Sequence, residues 1–311
     1  MTKNKNLTEN TLASLIYLTL LITTLYTPFG LFTFFILSGP FIFVALRNEN
    51  KVFLIVIIIN LLASILIGSI VALFLSILAG SVGFTMGRYY KRISLLGTML
   101  SGIIVVIINI VVLLFIGNMF FDVNISNTFN EMMRISFDST ERILNNLGDE
   151  QQTEQLIRQY KEFLEIASLL IPFIFIVLAS LYVTINHLVA SIILNKLGFE
   201  IPKLPRFRNW KFPRSIIYYY FIVAIIYLIN PSNYSLKVIV TNLFPLLTII
   251  LLIQGLSFIF YYSYYKKFGK VISIIAVISI FIPILNQVVQ IIGIIDLSFN
   301  LRKSLAGIEK L

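Results

Sequence analysis

Residues 52–87 read VFLIVIIINLLASILIGSIVALFLSILAGSVGFTMG, 36 residues without a charged side chain. As one straight helix this run would measure about 54 Å, against a bilayer hydrocarbon core of about 30 Å. It is too long for one crossing, and no soluble core has use for so long an apolar helix. The run therefore predicts a hairpin of two membrane-crossing helices, roughly 52–66 and 69–87, with Gly68 at the turn. Its second arm is also patterned. Gly68, Ala72, Ser76 and Gly80 recur every four residues, and Gly83 and Gly87 continue the same small face. In lipid, helices associate through close packing rather than a hydrophobic drive, so this stripe predicts a tight helix–helix contact, by default within the chain.

The same punctuation organises the rest. Uncharged runs also cover 10–46, 93–121, 166–195, 215–236, 238–265 and 271–295. Run 10–46 holds Pro28 and Gly30 near its middle, and proline disfavours helix in the residue before it, so this is a second hairpin. The other five runs each fit one crossing. The sum is nine crossings, within a range of eight to ten, in an all-α polytopic transmembrane helix bundle. The N-terminal tail carries Lys3 and Lys5 ahead of apolar sequence, but that sequence runs well past signal-peptide length, so it reads as the first span.

Composition supports this reading. Of 311 residues, 58% are hydrophobic and 12% charged, so the apolar surplus must face lipid. With Lys and Arg counted on alternate sides, the N-terminus is expected in the cytoplasm of a multi-pass cell-membrane protein, with 16 cations on that side against 8. The C-terminal tail fits worst, because nine spans put Arg302, Lys303 and Lys310 outside. The net charge of +10 lies in short loops, not in a stripe with stacking aromatics, so no nucleic acid is expected as a partner.

Between the fifth and sixth spans, segment 118–165 has apolar residues at near-helical spacing and predicts amphipathic helices on the external surface. Three domains result: a six-span unit over 1–195 with that insert, a basic cytoplasmic linker over 196–214, and about three spans over 215–311. In the linker, Lys203, Arg206, Arg208, Trp210 and Lys211 fit an anchor on anionic headgroups or a dock for a partner protein.

Catalytic chemistry is poorly supplied. The chain has no cysteine and one histidine, which excludes thiol nucleophiles and a histidine-built metal site, so neither metal nor cofactor is expected. There is no phosphate-binding Gly-x-x-x-x-Gly-Lys-Ser/Thr loop. Gly255-Leu-Ser257 with His187 invites comparison with an intramembrane serine protease dyad, but there is no second glycine after Ser257 and no helix order supports it, so the chain is not expected to be an enzyme. No Asp, Glu, Lys or Arg falls well inside a predicted span, which argues against ion coupling. Uncharged polar residues remain: Asn60, Asn109, Gln254, Asn286, Gln287 and Gln290, together with His187. A buried amide needs a partner, and each of these reads as interhelical glue or as a ligand contact. Asn60, Asn109 and His187 are the candidates for lining a small-molecule cavity.

Three short motifs in order carry a resemblance. Lys203-Leu-Pro-Arg-Phe-Arg-Asn-Trp-Lys-Phe-Pro213, Gln254-Gly-Leu-Ser257, and Gly293-Ile-Ile-Asp296 with Phe299, Arg302 and Lys303 together resemble the YybS family of uncharacterised multi-spanning membrane proteins of Gram-positive bacteria. Through that family the N-terminal half distantly resembles the six-helix substrate-binding components of energy-coupling-factor transporters. This implies small-molecule binding or transport, with energy from a separate membrane partner. The small-residue pair that docks such a partner has no clear counterpart, since Ala13 is followed four residues on by Tyr17. The alternative is a non-transporting scaffold or regulator of cell-envelope processes.

Overall fold

The computed structural model describes the chain except residues 1, 68–69, 122–127, 129–130, 133, 137, 141–149, 230, 270, 300, 303–304 and 306–311. Among the described residues every regular element is helical. They are α1 (Thr2–Tyr26), α2 (Gly30–Phe34), α3 (Gly39–Arg47), α4 (Asn50–Leu66), α5 (Ile70–Tyr89), α6 (Leu95–Phe121), α7 (Glu150–Leu169), α8 (Ile171–Lys196), a 3₁₀ turn at Phe207–Asn209, α9 (Ser215–Ile229), α10 (Tyr234–Tyr265), α11 (Val271–Ser279) and α12 (Pro283–Phe299). The all-α membrane bundle is thus the fold.

Both predicted hairpins are present. α1 ends at Tyr26 and α2 starts at Gly30, around Pro28; α4 ends at Leu66 and α5 starts at Ile70. Gly68, the expected turn residue, lies outside the described residues. Two runs read as unbroken are interrupted. Run 31–46 splits at Phe35–Ser38 between α2 and α3, with Pro40 in the first turn of α3. Run 271–295 is not one straight crossing: α11 and α12 meet at a bend of 113°. The bend falls just before Pro283, which cannot supply a backbone N–H to extend α11. By length and composition, five described helical stretches can cross a membrane, with α2 and α3 taken together as Gly30–Arg47, or six with the bent pair as one span; α4 and α9 are apolar but have 17 and 15 residues. Nine crossings are therefore not reached on these criteria.

The chain forms two compact units, residues 1–134 with 174–204 and residues 135–173 with 205–311. The second takes in α7, part of the segment expected as an insert of the N-terminal bundle. Within the first unit the small stripe of α5 is buried against α3 and α4. A Cβ on Gly83 would meet the backbone of Phe41, one on Gly87 would lie 2.6 Å from the Ala45 Cβ, and one on Gly80 would meet the Ile57 side chain. Ala72 and Ser76 are fully buried on the same face, and the Tyr17 hydroxyl bonds Ser76 Oγ at 2.5 Å. In the second unit Gly255 of α10 and Gly293 of α12 meet backbone to backbone; a Cβ on either would strike a carbonyl of the other helix.

Candidate functional site

Each helix break in a membrane frees backbone groups that lipid cannot satisfy. Here buried side-chain amides take them up. At the α2–α3 break, the Ser38 N–H donates to Asn186 Oδ1 at 3.2 Å, and Ser38 Oγ bonds the Tyr182 hydroxyl at 2.7 Å. At the α7–α8 break, Asn242 Nδ2 donates to the Leu169 carbonyl at 2.7 Å while its Oδ1 accepts the Phe173 N–H at 2.8 Å. At the α11–α12 bend, Asn286 Nδ2 donates to the Ile280 carbonyl at 3.1 Å.

The α2–α3 break borders a cavity of about 660 Å³ in the first unit. Ile36, Gly39, Pro40 and Phe43 line it from the break and α3, Leu12, Ala13, Ile16 and Leu20 from α1, and Val189, Ala190, Ile193 and Leu194 from α8. This volume lies within the usual range of small-molecule sites, about 300–1,000 Å³. The walls are apolar and the only charged residues lining the cavity are Glu9 and Arg47, which form an ion pair. Arg47 Nε and Nη2 also donate to Asn6 Oδ1 at 3.2 and 3.0 Å. Beside that pair, Asn10 and Asn48 exchange amide hydrogen bonds at 3.1 and 2.8 Å. The site is thus a partly open apolar cavity, with Leu12, Ile16 and Ile193 exposed along it, and one charged pair among its lining residues.

None of the three residues expected to line a cavity lines this one. Asn60 is fully buried, and its Nδ2 donates to Ser14 Oγ at 2.9 Å and the Val56 carbonyl at 2.8 Å, joining α4 to α1. Asn109 Nδ2 donates to Ser81 Oγ at 2.9 Å and the Val105 carbonyl at 2.7 Å, joining α6 to α5. His187, also fully buried, bonds the Tyr90 hydroxyl through Nδ1 at 2.7 Å, and its Nε2 has no partner among the described residues.

The linker residues divide between the units. Lys203 is exposed in the first. In the second, Arg206 and Lys211 are exposed, the Arg208 guanidinium sits 3.4 Å from the Tyr264 ring centroid, and Trp210 Nε1 donates to the Pro205 carbonyl at 3.0 Å.

A second polar centre was not anticipated from the charge pattern. Asp296, placed one residue beyond the last apolar run, is fully buried. Its Oδ2 accepts from Arg302 Nε and Nη2, both at 3.0 Å, and from Gln254 Nε2. Arg302 further donates to Ser257 Oγ at 3.1 Å and the Arg208 carbonyl at 2.8 Å. Gln254 Oε1 accepts the Phe212 N–H at 3.0 Å, and Ser257 Oγ lies 2.8 Å from the carbonyls of Phe207 and Trp210. Loop 207–212 is thereby fastened to α10 and to the end of α12. The signal was in the sequence: each polar motif carries a glycine beside its polar residues, Gly255 and Gly293, and this glycine pair brings the two helices close enough for the side chains to meet.

These are the three motifs that carry the family resemblance, met in one cluster. Over 305 residues the chain is 27% identical to the uncharacterized protein YybS of Bacillus subtilis (strain 168), covering 97% of this chain and 99% of the relative. No solved structure matches, and these matches do not extend to energy-coupling-factor components. The family model described as predicted membrane protein (DUF2232) matches residues 14–297, and the chain belongs to that family.

Proposed function

We propose that this protein is a non-enzymatic, multi-pass membrane protein whose N-terminal unit binds an amphipathic small molecule in the cavity between α1, α3 and α8. The observation that carries this reading is the chamber of about 660 Å³ with apolar walls and a single charged pair, Glu9–Arg47. An alkyl or isoprenoid chain would replace lipid contacts with protein contacts along the walls, and its head group would meet the charged pair, where the Arg47 fork can bond oxygen atoms. The broken helix α2–α3 beside the chamber has the form often found where membrane proteins bind substrates. With no phosphate-binding loop in the chain, active movement of such a molecule would draw energy from a separate partner protein. The N-terminus, and with it Glu9 and Arg47, is assigned to the cytoplasmic side from the distribution of Lys and Arg.

The test is to fill the chamber. Protein purified in mild detergent is compared with Leu12→Trp and Ile193→Trp, at two exposed lining positions, by mass spectrometry of bound small molecules. An amphiphile held by the native chain and lost from both variants, with unfolding temperatures kept, is the expected result. Equal retention by all three would overturn the reading. The rival reading, a non-transporting scaffold or regulator of envelope processes, is favoured by the fastened loop 207–212, which presents Arg206 and Lys211 at fixed positions. It predicts stoichiometric protein partners and no bound small molecule.

A further inference from the structure

The direction of α12 decides what the bent pair is. Beyond the Gly255–Gly293 crossing, where Gly255 also meets Val289, its contacts with α10 climb along both chains. Leu251 meets Gly293, Gln254 meets Asp296, Ser257 meets Arg302, and the Tyr265 hydroxyl donates to the Leu305 carbonyl at 2.7 Å. The two helices therefore run parallel. A chain that leaves α10 at Tyr265 and crosses back must run antiparallel to it and finish at its far end. Instead α12 finishes beside the end of α10, where α11 began. Between them α11 has nine residues, about 13.5 Å of helix, under half of a hydrocarbon core of about 30 Å. The 113° bend follows, and the backbone there is closed by hydrogen bonds, including that from Asn286, so it can lie within the bilayer.

The depth of that shared end is marked by its side chains. Tyr261, Tyr262, Tyr264 and Tyr265 close α10, Phe268 follows them, and Trp210 packs on Phe207, which packs on Phe260 of α10; such aromatic clusters mark membrane–water interfaces. Arg206, Arg214, Lys266 and Lys267 are exposed there or in the loop fastened to it. Between Glu200 and Glu309 the sequence contains a single acid, Asp296, and it is buried against Arg302. Arg206, Arg214, Lys266 and Lys267 have no acidic side chain from that stretch to answer them.

We propose that residues 271–299 form a re-entrant hairpin, which returns Arg302 and Leu305 to the side of loops 205–214 and 266–269 and completes there one basic face that holds anionic lipid headgroups. The face lies in the cytoplasmic leaflet, and the placement brings Arg302 to the side that the distribution of Lys and Arg favours. This inference concerns the second unit and is independent of the cavity reading.

The absence of cysteine makes the test direct. Single cysteines at Ser232, Lys267 and Lys303 of the full chain are probed in intact cells and inverted vesicles with a membrane-impermeant maleimide. Positions 267 and 303 are expected to label from one side and 232 from the other. Labelling of 303 with 232 would make α11–α12 a broken crossing and overturn the proposal. For the face, the full chain in detergent is offered equal phosphatidylglycerol and phosphatidylcholine, and bound lipid is read by native mass spectrometry. Phosphatidylglycerol is expected in excess, and the excess should fall about fivefold for each of Arg206→Gln, Lys266→Gln and Lys267→Gln, the equivalent of about 1 kcal/mol per cation. Equal binding of the two lipids by the native chain would overturn the headgroup assignment.

Discussion

The Asp296–Arg302 pair is the most exacting residue-level feature of the molecule. A fully buried carboxylate is tolerated because Arg302 and Gln254 both donate to the same oxygen. Removing one partner leaves a charge stranded in a low-dielectric site, at a cost of about 3–5 kcal/mol, while replacing both with apolar groups of similar size costs far less. Arg302→Met alone and Asp296→Leu alone are therefore expected to lower the unfolding temperature in detergent strongly, and Asp296→Leu with Arg302→Met to recover much of the loss. Additive losses in the double variant would show that the two side chains do not act as a pair. The amides obey the same rule. Asn186→Ala strands the Ser38 N–H, a loss of about 1–3 kcal/mol, and should open the α2–α3 break to hydrogen exchange before the rest of the bundle.

At the scale of elements, small residues set the distances. Gly255 and Gly293 allow α10 and α12 to touch through their backbones, and Gly83 and Gly87 do so for α5 against α3. Gly255→Val should separate α10 from α12, break the Gln254–Asp296 bond and abolish folded protein. Gly39→Ala, where an added Cβ meets nothing within 4 Å, should leave the yield of folded protein unchanged. Loss of fold in both would mean that close approach is not the reason for the α10 glycine. This level was largely legible in the sequence: charge-free runs, the Pro28–Gly30 turn and the every-fourth-residue stripe each follow from local rules. The breaks at Phe35–Ser38 and Ile280–Ile282 were not, because apolar composition stays continuous through them and what permits each break is an amide distant in sequence or a turn later. Asn186 lies 148 residues from the Ser38 it satisfies. For the same reason Asn60 and Asn109 read as cavity residues, since a sequence shows that an amide needs a partner but not that a serine one helix away supplies it.

At the scale of the whole molecule, the two units are interleaved in the chain, since residues 135–173 belong with 205–311. That has a consequence for where the protein can be divided. Cutting at 204–205 falls between the units in the linker but removes α7 and the start of α8 from the second unit. Asn242 is the residue that feels it. Its amide donates to the Leu169 carbonyl and its oxygen accepts the Phe173 N–H, and both partners would leave with the N-terminal fragment. An amide buried among apolar helices and stripped of these bonds is costly in a membrane, by about 1–3 kcal/mol on mutational scales. Fragment 205–311 expressed alone should therefore be degraded or protease-sensitive, and co-expression with fragment 1–204 should restore its protection. Asn242→Leu in the fragment removes the unmet polar group and should raise the protection of 205–311 alone while weakening its rescue by 1–204. If the lone fragment were as protected as the co-expressed one, residues 135–173 would not be needed to complete the second unit, and the division between units would have to be drawn at the linker instead.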